Sequence, residues 1–472
     1  MAALLAATAA HGSVRISSKP TKNMNCIGGV CTATARKAIL NADDLAAMLT
    51  GGDVTVASGS MASDIEIDQA LSWGSPHRLT LDAYRSIAFY NRLEVLGAGS
   101  ALTITTNDGG TNGDFHFLGK GQVRIYDLMD SLVINGATYE LVNTVKQLAR
   151  KEAAGAANVA LAQDYNFRNH TSAAPPIASA GGVIEGLGHT IARFKINSAS
   201  DPAALIGTQN SASTVRDLRL HSVSITASGS RQEIGALVGH ADGTIDGCFA
   251  DGQVTSLQSG QTSSNIGGLV GTSDGLVVNS GAAVSVSSQG VDDVGGLVGV
   301  LTGSAPGTVE YGYATGSVSA TAAQATVGGL VGANLGGFVI SSYARGAVTG
   351  GDQAVAGGLI GFSTQNADFQ AQVVEESYST GKVTGGSDAF VGGVIGVDAS
   401  GFNNFDNYWD LDTSGVSDPS QGAGSPQDDL GLTGLTTAQF LAKLPPGFAK
   451  ATWRQDGTIN DGYPYLLGNP PQ

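Results

Sequence analysis

An apolar pentapeptide flanked by glycine returns six times in the second half of this chain. It reads Gly-Ala-Leu-Val-Gly at 235–239, Gly-Gly-Leu-Val-Gly at 267–271, 295–299 and 328–332, Gly-Gly-Leu-Ile-Gly at 357–361 and Gly-Gly-Val-Ile-Gly at 392–396. Successive copies start 28 to 35 residues apart. A self-similar period of this size is typical of a solenoid, a propeller or another repeat array.

A second signature follows four of the pentapeptides. It reads Phe-Ala-Asp-Gly at 249–252, Tyr-Ala-Thr-Gly at 313–316, Tyr-Ala-Arg-Gly at 343–346 and Tyr-Ser-Thr-Gly at 378–381, and a valine comes two residues later each time. The copy that begins at 267 is poorer, with Gly281 in place of the aromatic residue and, in this alignment, one residue missing before Val284. Each repeat therefore holds about three short apolar stretches separated by turn residues, which predicts strands.

Three strands in about 31 residues fit one turn of a parallel β-solenoid better than the four-stranded blade of a propeller. Equivalent positions would then stack about 4.8 Å apart. The repeat predicts one interior ladder of Leu237, Leu269, Leu297, Leu330, Leu359 and Val394. It predicts a second interior ladder, on a neighbouring face, of Tyr313, Tyr343 and Tyr378.

The rest of the chain divides around these repeats. We predict an irregular N-terminus over 1–37, N-terminal β-helix strands over 38–137, a β-helix with a helical insertion over 138–233, the repeat solenoid over 234–402 and a C-terminal cap over 403–472. Helical patterns run over 39–49, 144–154 and 436–444, and period-two strands lie between them. The fold class is all-β, with a short helical insertion.

The amino-acid composition limits the kinds of partner that this chain is expected to bind. Lys and Arg total 24 against 40 Asp and Glu, so the net charge is −16 and nucleic acid is not expected as a partner. No apolar run reaches 18 residues, so no membrane span is expected. Cys26 and Cys31 are either paired in an oxidising compartment or unpaired, while Cys248 is expected to be a buried small residue.

The residues of the repeat resemble a known family. Gly-Gly-Leu-Val-Gly followed by Tyr-Ala-Thr-Gly-x-Val is similar to the GLUG repeat of large bacterial surface proteins. Residues 49–56, 71–83, 186–191, 408–413 and 435–440 resemble segments of filamentous-haemagglutinin-like adhesins. The resemblance implies a right-handed parallel β-helix, export by two-partner secretion with an outer-membrane partner, and adhesion to a host or bacterial surface glycan or protein.

Candidate catalytic groups are few. The seven histidines are scattered; His221 and His240 are the nearest pairing, without the spacing of metal ligands, and no His-Glu-x-x-His motif occurs. Gly271-Thr-Ser-Asp-Gly275 matches a nucleophile elbow but lies in a turn after a strand, with no histidine beyond His240. The available carboxylate pairs are Asp292 with Asp293, Glu375 with Glu376, and Asp410 with Asp412.

These observations predict a non-catalytic, extracellular or cell-surface adhesin, with no catalytic, cofactor or metal residues assigned and its receptor-binding residues unknown. The alternatives are a carbohydrate-active β-helix enzyme, either a polysaccharide lyase or a hydrolase, and a purely structural stalk. The longest insertion within a repeat, Phe362–Val374, is predicted to project from the solenoid.

Overall fold

The computed structural model describes residues 12–230, 232–258, 260, 262–302, 307–365, 374–401 and 403–471. Most of this part of the chain is β-strand, arranged largely in parallel sheets of many strands. The chain forms two compact units. Unit 1 comprises Met1–Tyr165, Gly182–Thr190 and Arg216–Arg219, and unit 2 comprises Asn166–Gly181, Ile191–Val215 and Leu220–Gln472.

Unit 1 contains three sets of paired strands. In spatial order, the first is Phe115–Phe117, Ile87–Phe89, Asp64–Ile67, Ser13–Ser17 and Lys37–Asn41; the second is Gln122–Ile125, Arg92–Val95 and Leu71–Trp73. The third is Met24–Ile27, Val30–Ala33, Val54–Ala57, Arg78–Asp82, Ala101–Thr105, Ser131–Ile134, Ala137–Val142, Asn158–Leu161 and Val183–Glu185. The pairs Met24–Ile27 with Val30–Ala33 and Ser131–Ile134 with Ala137–Val142 are antiparallel, and the other pairs in these sets are parallel.

Alternation of apolar and polar residues builds the core of unit 1. Val54, Leu79, Leu102 and Leu132 face one another in register, as do Val56, Leu81, Ile104 and Ile134. All eight side chains are buried. Burial of each side chain contributes about 1.5–3 kcal/mol, so these two columns of stacked side chains stabilise unit 1. The sequence of unit 1 has no regular repeat that marks them.

Residues 13–37 are not irregular, contrary to the prediction, because four strands begin in this stretch. Val14 and Ile16 alternate with polar residues and are fully buried. The strands are only four or five residues long and follow no repeat, which explains why the sequence did not reveal them. Cys26 and Cys31 face each other across the antiparallel pair and form a disulfide.

Four α-helices occur in the described residues: α1 over Ala42–Gly51, α2 over Gly59–Ala62, α3 over Val145–Ala153 and α4 over Thr437–Ala442. Asn41 begins α1, because its side-chain oxygen accepts hydrogen bonds from the backbone N–H groups of Asp43 and Asp44 at 2.9 and 3.0 Å. Thr144 caps α3 in the same manner, and Thr436 with Gln439 forms a capping box at α4. The three predicted helices are confirmed; α1 begins and ends later than predicted, and α3 and α4 are shorter than predicted. Within the described residues, one 3₁₀ turn lies at Asn460–Gly462.

The strands of unit 2 stack in parallel, one repeat on the next. The nine-stranded sheet is Ile177–Ala180, Ile206–Gln209, Val238–Ala241, Val270–Ser273, Val298–Thr302, Val331–Leu335, Ile360–Thr364, Ile395–Ala399 and Ala423–Ser425. The six-stranded sheet is Glu233–Ile234, Asn265–Gly267, Asp293–Gly295, Thr326–Gly328, Val355–Gly357 and Phe390–Gly392. A further series is Thr244–Asp246, Leu276–Val278, Thr308–Glu310, Phe338–Ile340, Val374–Glu375 and Asn404–Phe405.

The remaining strands of unit 2 include those of the aromatic signature. They are Thr171–Ser172, Lys195–Ser198, Phe249–Ser256, Gly281–Ser288, Tyr313–Ala314, Val318–Ala320, Tyr343–Ala344, Val348–Gly350, Tyr378–Ser379, Val383–Thr384, Asn407–Asp410 and Leu432–Leu435, with an antiparallel pair of Trp453–Arg454 and Tyr465–Leu466. Tyr165–Asn166, Thr190–Ala192, Thr214–Arg216 and Arg219–Ala227 include residues assigned to both units.

Each repeat contributes strands to four series, not three. The repeat that begins at Asn265 forms Asn265–Gly267, Val270–Ser273, Leu276–Val278 and Gly281–Ser288. The pentapeptide is divided between two of these strands, and residue 268 must be glycine, because a Cβ there would lie 2.0 Å from the carbonyl oxygen of Gly296. The leucine ladder is confirmed, since Leu237, Leu269, Leu297, Leu330, Leu359 and Val394 are all fully buried at equivalent positions.

The tyrosine ladder is stacked and buried, but its position differs from the prediction. The ring centroids of Tyr313 and Tyr343 are 5.3 Å apart, and those of Tyr343 and Tyr378 are 5.1 Å apart. The next residue of each strand faces the pentapeptide glycines; Ala314, for example, lies against Gly296. Successive residues of a strand point to opposite faces, so the tyrosines point away from the leucine ladder.

The C-terminal segment covers the tyrosines, which corrects the prediction of a cap over 403–472. Strands continue the repeat pairing through Leu435. Beyond it, the aromatic residues Phe440, Phe448, Trp453 and Tyr463 pack with the tyrosine ladder in one buried cluster. The side-chain amide of Asn469 donates to the carbonyl oxygens of Ser280 and Tyr311, so the segment runs back across the repeats.

The poorer copy of the repeat lacks no residue. Val286, and not Val284, pairs with Val254 and with Val318. Gly281 replaces the aromatic residue because the ring of Tyr313 occupies that space, where a Cβ would lie 2.5 Å from the ring. The tyrosine ring thereby reaches Phe249, with the two ring centroids 6.2 Å apart.

Two further predictions concern an insertion that projects from the repeats and the absence of a membrane span. Phe362 and Val374 lie in strands, and the centre of the predicted projecting insertion, 366–373, lies outside the described residues. Within the described residues, no helix combines the length and the apolar character needed to cross a bilayer.

Candidate functional site

The carboxylate pairs singled out in the sequence hold the backbone in place. The side chain of Asp292 is fully buried and accepts hydrogen bonds from the Ser288 hydroxyl at 2.5 Å and from the Ser264 backbone N–H at 2.7 Å. Glu376 accepts from the Ser341 hydroxyl at 3.1 Å, and burial is the main cause that raises its pKa. Each partner lies on a neighbouring repeat or turn, so these contacts join repeats.

Asp410 and Asp412 position the C-terminal segment. Asp410 is fully buried and accepts hydrogen bonds from the hydroxyl groups of Thr437 and Tyr463, both at 2.7 Å. Asp412 accepts from the backbone N–H of Thr437 at 2.9 Å. Both carboxylates therefore fix the start of α4.

A fourth pair of carboxylates, absent from the sequence prediction, lies in unit 2. The side-chain amide of Asn404 donates to Asp398 at 2.8 Å and to Asp429 at 2.5 Å, beside a cavity of about 550 Å³. Burial raises the pKa of Asp429, and the neighbouring Asp398 raises it further, while the hydrogen bonds from Gly431 and Asn404 lower it.

The motif that resembles a nucleophile elbow and the two histidines His221 and His240 make local contacts of their own. The Ser273 side chain is fully buried and its hydroxyl donates to the carbonyl oxygen of Gly275, which is a turn contact. His221 pairs with Asp251 at 2.8 Å. His240 has its own carboxylate partners, Glu233 at 2.9 Å and Asp242 at 3.0 Å, so the two histidines are not ligands of one site.

A cleft in unit 1 is lined by more basic than acidic side chains. This basic cleft, of about 500 Å³, is lined by Ser13, Arg15, Ser17, Lys19, Lys22, Asn23, Lys37, Ala38, Ile39, Glu66 and Asp68. Arg15 lies on the strand Ser13–Ser17, and Lys37 begins the neighbouring edge strand. Lys19 and Lys22 lie on the connection between the strands Ser13–Ser17 and Met24–Ile27.

Hydrogen bonds hold that connection in place. The side-chain amide of Asn41 donates to the carbonyl oxygens of Ser18 at 3.3 Å and Lys19 at 3.2 Å. The side-chain amide of Asn23 donates to the carbonyl oxygen of Lys37 at 2.7 Å. The lysines of the basic cleft are therefore carried by an anchored backbone, which lowers the entropy lost when a ligand binds.

The charges of the basic cleft are only partly neutralised. Arg15 forms ion pairs with Glu66 at 2.7 Å and Asp68 at 3.7 Å. Across the described ranges of the chain, no carboxylate lies within ion-pair distance of the ammonium groups of Lys19, Lys22 and Lys37. Four cations against two carboxylates give the basic cleft an excess of positive charge in a chain whose net charge is −16.

An exposed aromatic side chain lies close to the basic cleft. Tyr90 is 45% exposed, and burial of its hydroxyl end together with the charges of Glu66 and Asp68 raises its pKa, while Arg15 lowers it. The backbone N–H of Tyr90 donates to the carbonyl oxygen of Ile67 at 3.1 Å, so Tyr90 lies beside Glu66 and Asp68 of the basic cleft. A flat apolar ring beside polar groups is a common arrangement in ligand-binding sites.

The sequence contained a signal for the basic cleft that the repeat-based prediction missed. The first 42 residues carry five basic side chains and no acidic one; these are Arg15, Lys19, Lys22, Arg36 and Lys37. The remaining 430 residues carry 19 basic and 40 acidic side chains, a net charge of −21. Such an asymmetry between parts of a chain indicates an interaction surface of one sign.

Comparison with protein-family models gives no match, and comparison with curated proteins gives none either. Among solved structures, this chain is similar to one described as "a putative immunoglobulin A1 protease from Bacteroides ovatus", with 17% identity and a TM-score of 0.46. The match covers 70% of this chain and 92% of that one. At this level of similarity, we draw no argument about the function of this chain.

Proposed function

We propose that this chain is a non-catalytic, adhesin-like protein of the extracellular space or cell surface, which binds an acidic glycan in the basic cleft. The observation that carries the proposal is the group of Lys19, Lys22 and Lys37 on an anchored backbone beside Arg15. Uronate, sialate and sulfate groups are anions that ammonium groups bind as point charges. Tyr90 supplies a neighbouring surface for the apolar face of a sugar ring.

The proposed architecture is a right-handed parallel β-helix. Its support is the parallel pairing of equivalent strands from one repeat to the next, such as Val270 with Val298 and Val298 with Val331. Repeats of this kind bury their apolar faces only against neighbours, and they present long outer surfaces for binding.

The proposed location is supported by the Cys26–Cys31 disulfide. Disulfides persist in oxidising compartments, including the periplasm and the extracellular space. An outer-membrane secretion partner remains part of the proposal, on the resemblance of the repeats to those of two-partner-secretion adhesins.

Retention on immobilised polysaccharides tests the proposal. Polygalacturonate and a sulfated polysaccharide would be compared with neutral dextran, using purified chain at several salt concentrations. We expect saturable binding to the acidic polymers that weakens as salt rises, since salt screens exposed charges. Release of reducing ends or unsaturated sugars in the same samples would overturn the non-catalytic assignment in favour of the carbohydrate-active enzyme.

A triple variant separates the basic cleft from general charge. Lys19→Ser, Lys22→Ser and Lys37→Ser together should weaken binding by about 10- to 150-fold, if each exposed contact contributes about 0.5–1 kcal/mol. The matched control changes the exposed lysines Lys146, Lys443 and Lys450 to serine, with the same loss of charge. Equal binding by the two triple variants, or no saturable binding by the unchanged chain, would refute the proposal.

A further inference from the structure

We propose that His240, Asp242 and Asp274 in unit 2 bind one divalent transition-metal ion, of which Zn²⁺ is the best fit, and that Glu233 orients the histidine. The Nε2 atom of His240 lies 3.0 Å from Oδ1 of Asp242 and 3.3 Å from Oδ2 of Asp274. One ligand atom from each of the three residues lies within 4.8 Å of the others. The three side chains are half-buried or exposed, so an ion can reach them from solvent.

The stacking of two repeats produces this arrangement. His240 lies in the strand Val238–Ala241, and Asp242 follows that strand directly. Ala241 pairs with Ser273 of the next strand, so Asp274 occupies the position equivalent to Asp242 one repeat further along. Two aspartates one repeat apart thus flank the same imidazole nitrogen.

The distances suit a bound metal ion. Zn²⁺ binds nitrogen and oxygen ligands at about 2.0–2.1 Å, and tetrahedral ligands at that distance are about 3.3–3.4 Å apart. The two separations from Nε2 are therefore within a few tenths of an ångström of those around a tetrahedral ion. Entry of the ion would displace the proton that lies between Nε2 of His240 and Asp242, and coordination bonds would replace the contacts of Nε2 with both aspartates, with little movement of the strands.

Glu233 supplies the outer contact that metal-binding histidines usually have. Its Oε1 atom lies 2.9 Å from Nδ1 of His240, on the side of the ring opposite to the two aspartates. With the Nδ1 proton donated to Glu233, Nε2 is left to face the ion. The backbone N–H of Glu233 donates to Asp201 at 2.7 Å, which fixes the strand that carries this carboxylate.

The other repeats show that the fold itself does not require these residues. The positions equivalent to His240 are occupied by Thr272, Val300, Ala333, Phe362 and Val397. Those equivalent to Asp242 and Asp274 are occupied in the later repeats by Thr302, Leu335, Thr364 and Ala399. A position that holds threonine, valine, alanine or phenylalanine in the other repeats has no structural need for a histidine between carboxylates.

The ligand chemistry selects the type of ion. Ca²⁺ and Mg²⁺ prefer oxygen ligands, and Ca²⁺ takes six to eight of them. One imidazole nitrogen with two carboxylate oxygens suits Zn²⁺, and the borderline ions Mn²⁺ and Co²⁺ share this preference in part. Three protein ligands leave a fourth position for water or for an oxygen atom of a bound molecule.

Calorimetric titration of the full chain, without an affinity tag and after chelator treatment, tests the proposal. Addition of ZnCl₂ should show one saturable equivalent of Zn²⁺ and much weaker binding of CaCl₂. His240→Gln should weaken Zn²⁺ binding at least tenfold, while the matched control His221→Gln, which alters a histidine paired with a single aspartate, should leave it unchanged. Glu233→Ala should weaken binding by about 10- to 100-fold, as expected for an outer contact.

A second measurement guards against variants that fail to fold. Co²⁺ bound to nitrogen and oxygen ligands gives visible absorption bands, which should appear with the unchanged chain and vanish with the double variant Asp242→Asn and Asp274→Asn. Circular dichroism of the metal-free variants should match that of the unchanged chain. Absence of a saturable Zn²⁺ equivalent, or equal binding by the His240 and His221 variants, would overturn the proposal.

Discussion

Removal of a single hydroxyl group at two stacked tyrosines should have opposite effects on stability. Tyr343 and Tyr378 are both fully buried neighbours in the tyrosine ladder. The Tyr378 hydroxyl donates to the carbonyl oxygen of Pro464 at 2.5 Å and accepts from the side-chain amide of Asn460 at 2.9 Å. The Tyr343 hydroxyl has no hydrogen-bond partner among the described residues.

The expected magnitudes follow from these contacts. Tyr378→Phe leaves two buried partners with one hydrogen bond fewer each, so it should lower the free energy of unfolding by about 1–3 kcal/mol. Tyr343→Phe removes an unpaired buried hydroxyl, so it should be neutral or should stabilise unit 2 by about 1 kcal/mol. Both substitutions keep the ring, and burial raises the pKa of both tyrosines, so neither ionises near neutral pH.

Calorimetry or urea unfolding of the two single variants measures the difference. At about 2–4 °C per kcal/mol for a unit of this size, the two thermal midpoints should differ by about 2 °C or more, with Tyr343→Phe the higher. An equal loss of stability in both variants would refute the reasoning, because it would mean that the Tyr343 hydroxyl is paired as well as that of Tyr378.

Other contacts of unit 1 and of the C-terminal segment are open to equally direct tests. Reduction of the Cys26–Cys31 disulfide, which spans a sequence separation of 5, should destabilise unit 1 by about 2 kcal/mol, and calorimetry with and without reductant would show an unchanged midpoint if this is wrong. Burial, followed by the charge of Asp217, raises the pKa of Glu185 well above 4.5. The folded chain then holds a proton that the unfolded chain releases, so stability should fall as pH rises above about 4.5, by at most about 1.4 kcal/mol per pH unit; the thermal midpoint of Glu185→Gln should fall less between pH 5 and 8. Trp453→Ala should destabilise unit 2 by about 3–5 kcal/mol in urea unfolding, because Trp453 is 1% exposed in the aromatic cluster, and a loss below 1 kcal/mol would contradict its burial.

The sequence was sufficient to predict the stacking of side chains wherever the same residue type recurs in successive repeats. The pentapeptide predicted the leucine ladder correctly, because an inward position must be filled by a similar side chain in each repeat. The stacking of Tyr313, Tyr343 and Tyr378 was predicted for the same reason. Their face was not, because periodicity shows that residues are equivalent but does not show what covers them.

The repeat pattern could not predict contacts between distant parts of the chain. The cover of Phe440, Phe448 and Trp453 over the tyrosines depends on a segment that has no counterpart in the repeats. The strands over 13–37 were missed because each is short and is stabilised by neighbours from elsewhere in unit 1. The basic cleft was missed with them, although the charge of the first 42 residues was visible.

A stacked fold of this kind separates the positions that stabilise it from those that are free to acquire a function. Positions in the leucine and tyrosine ladders are constrained by the repeat above and the repeat below, so a departure from the pattern there is compensated locally, as Gly281 is by the ring of Tyr313. Positions that accept side chains of different size and polarity have no such constraint, and a departure there needs another cause. His240 with its flanking aspartates is such a departure in unit 2, and the excess of lysine in the basic cleft is a departure from the charge of the whole chain. The C-terminal segment covers the tyrosine ladder, so a ligand cannot bind there. Both proposals therefore rest on polar side chains that are at least partly exposed.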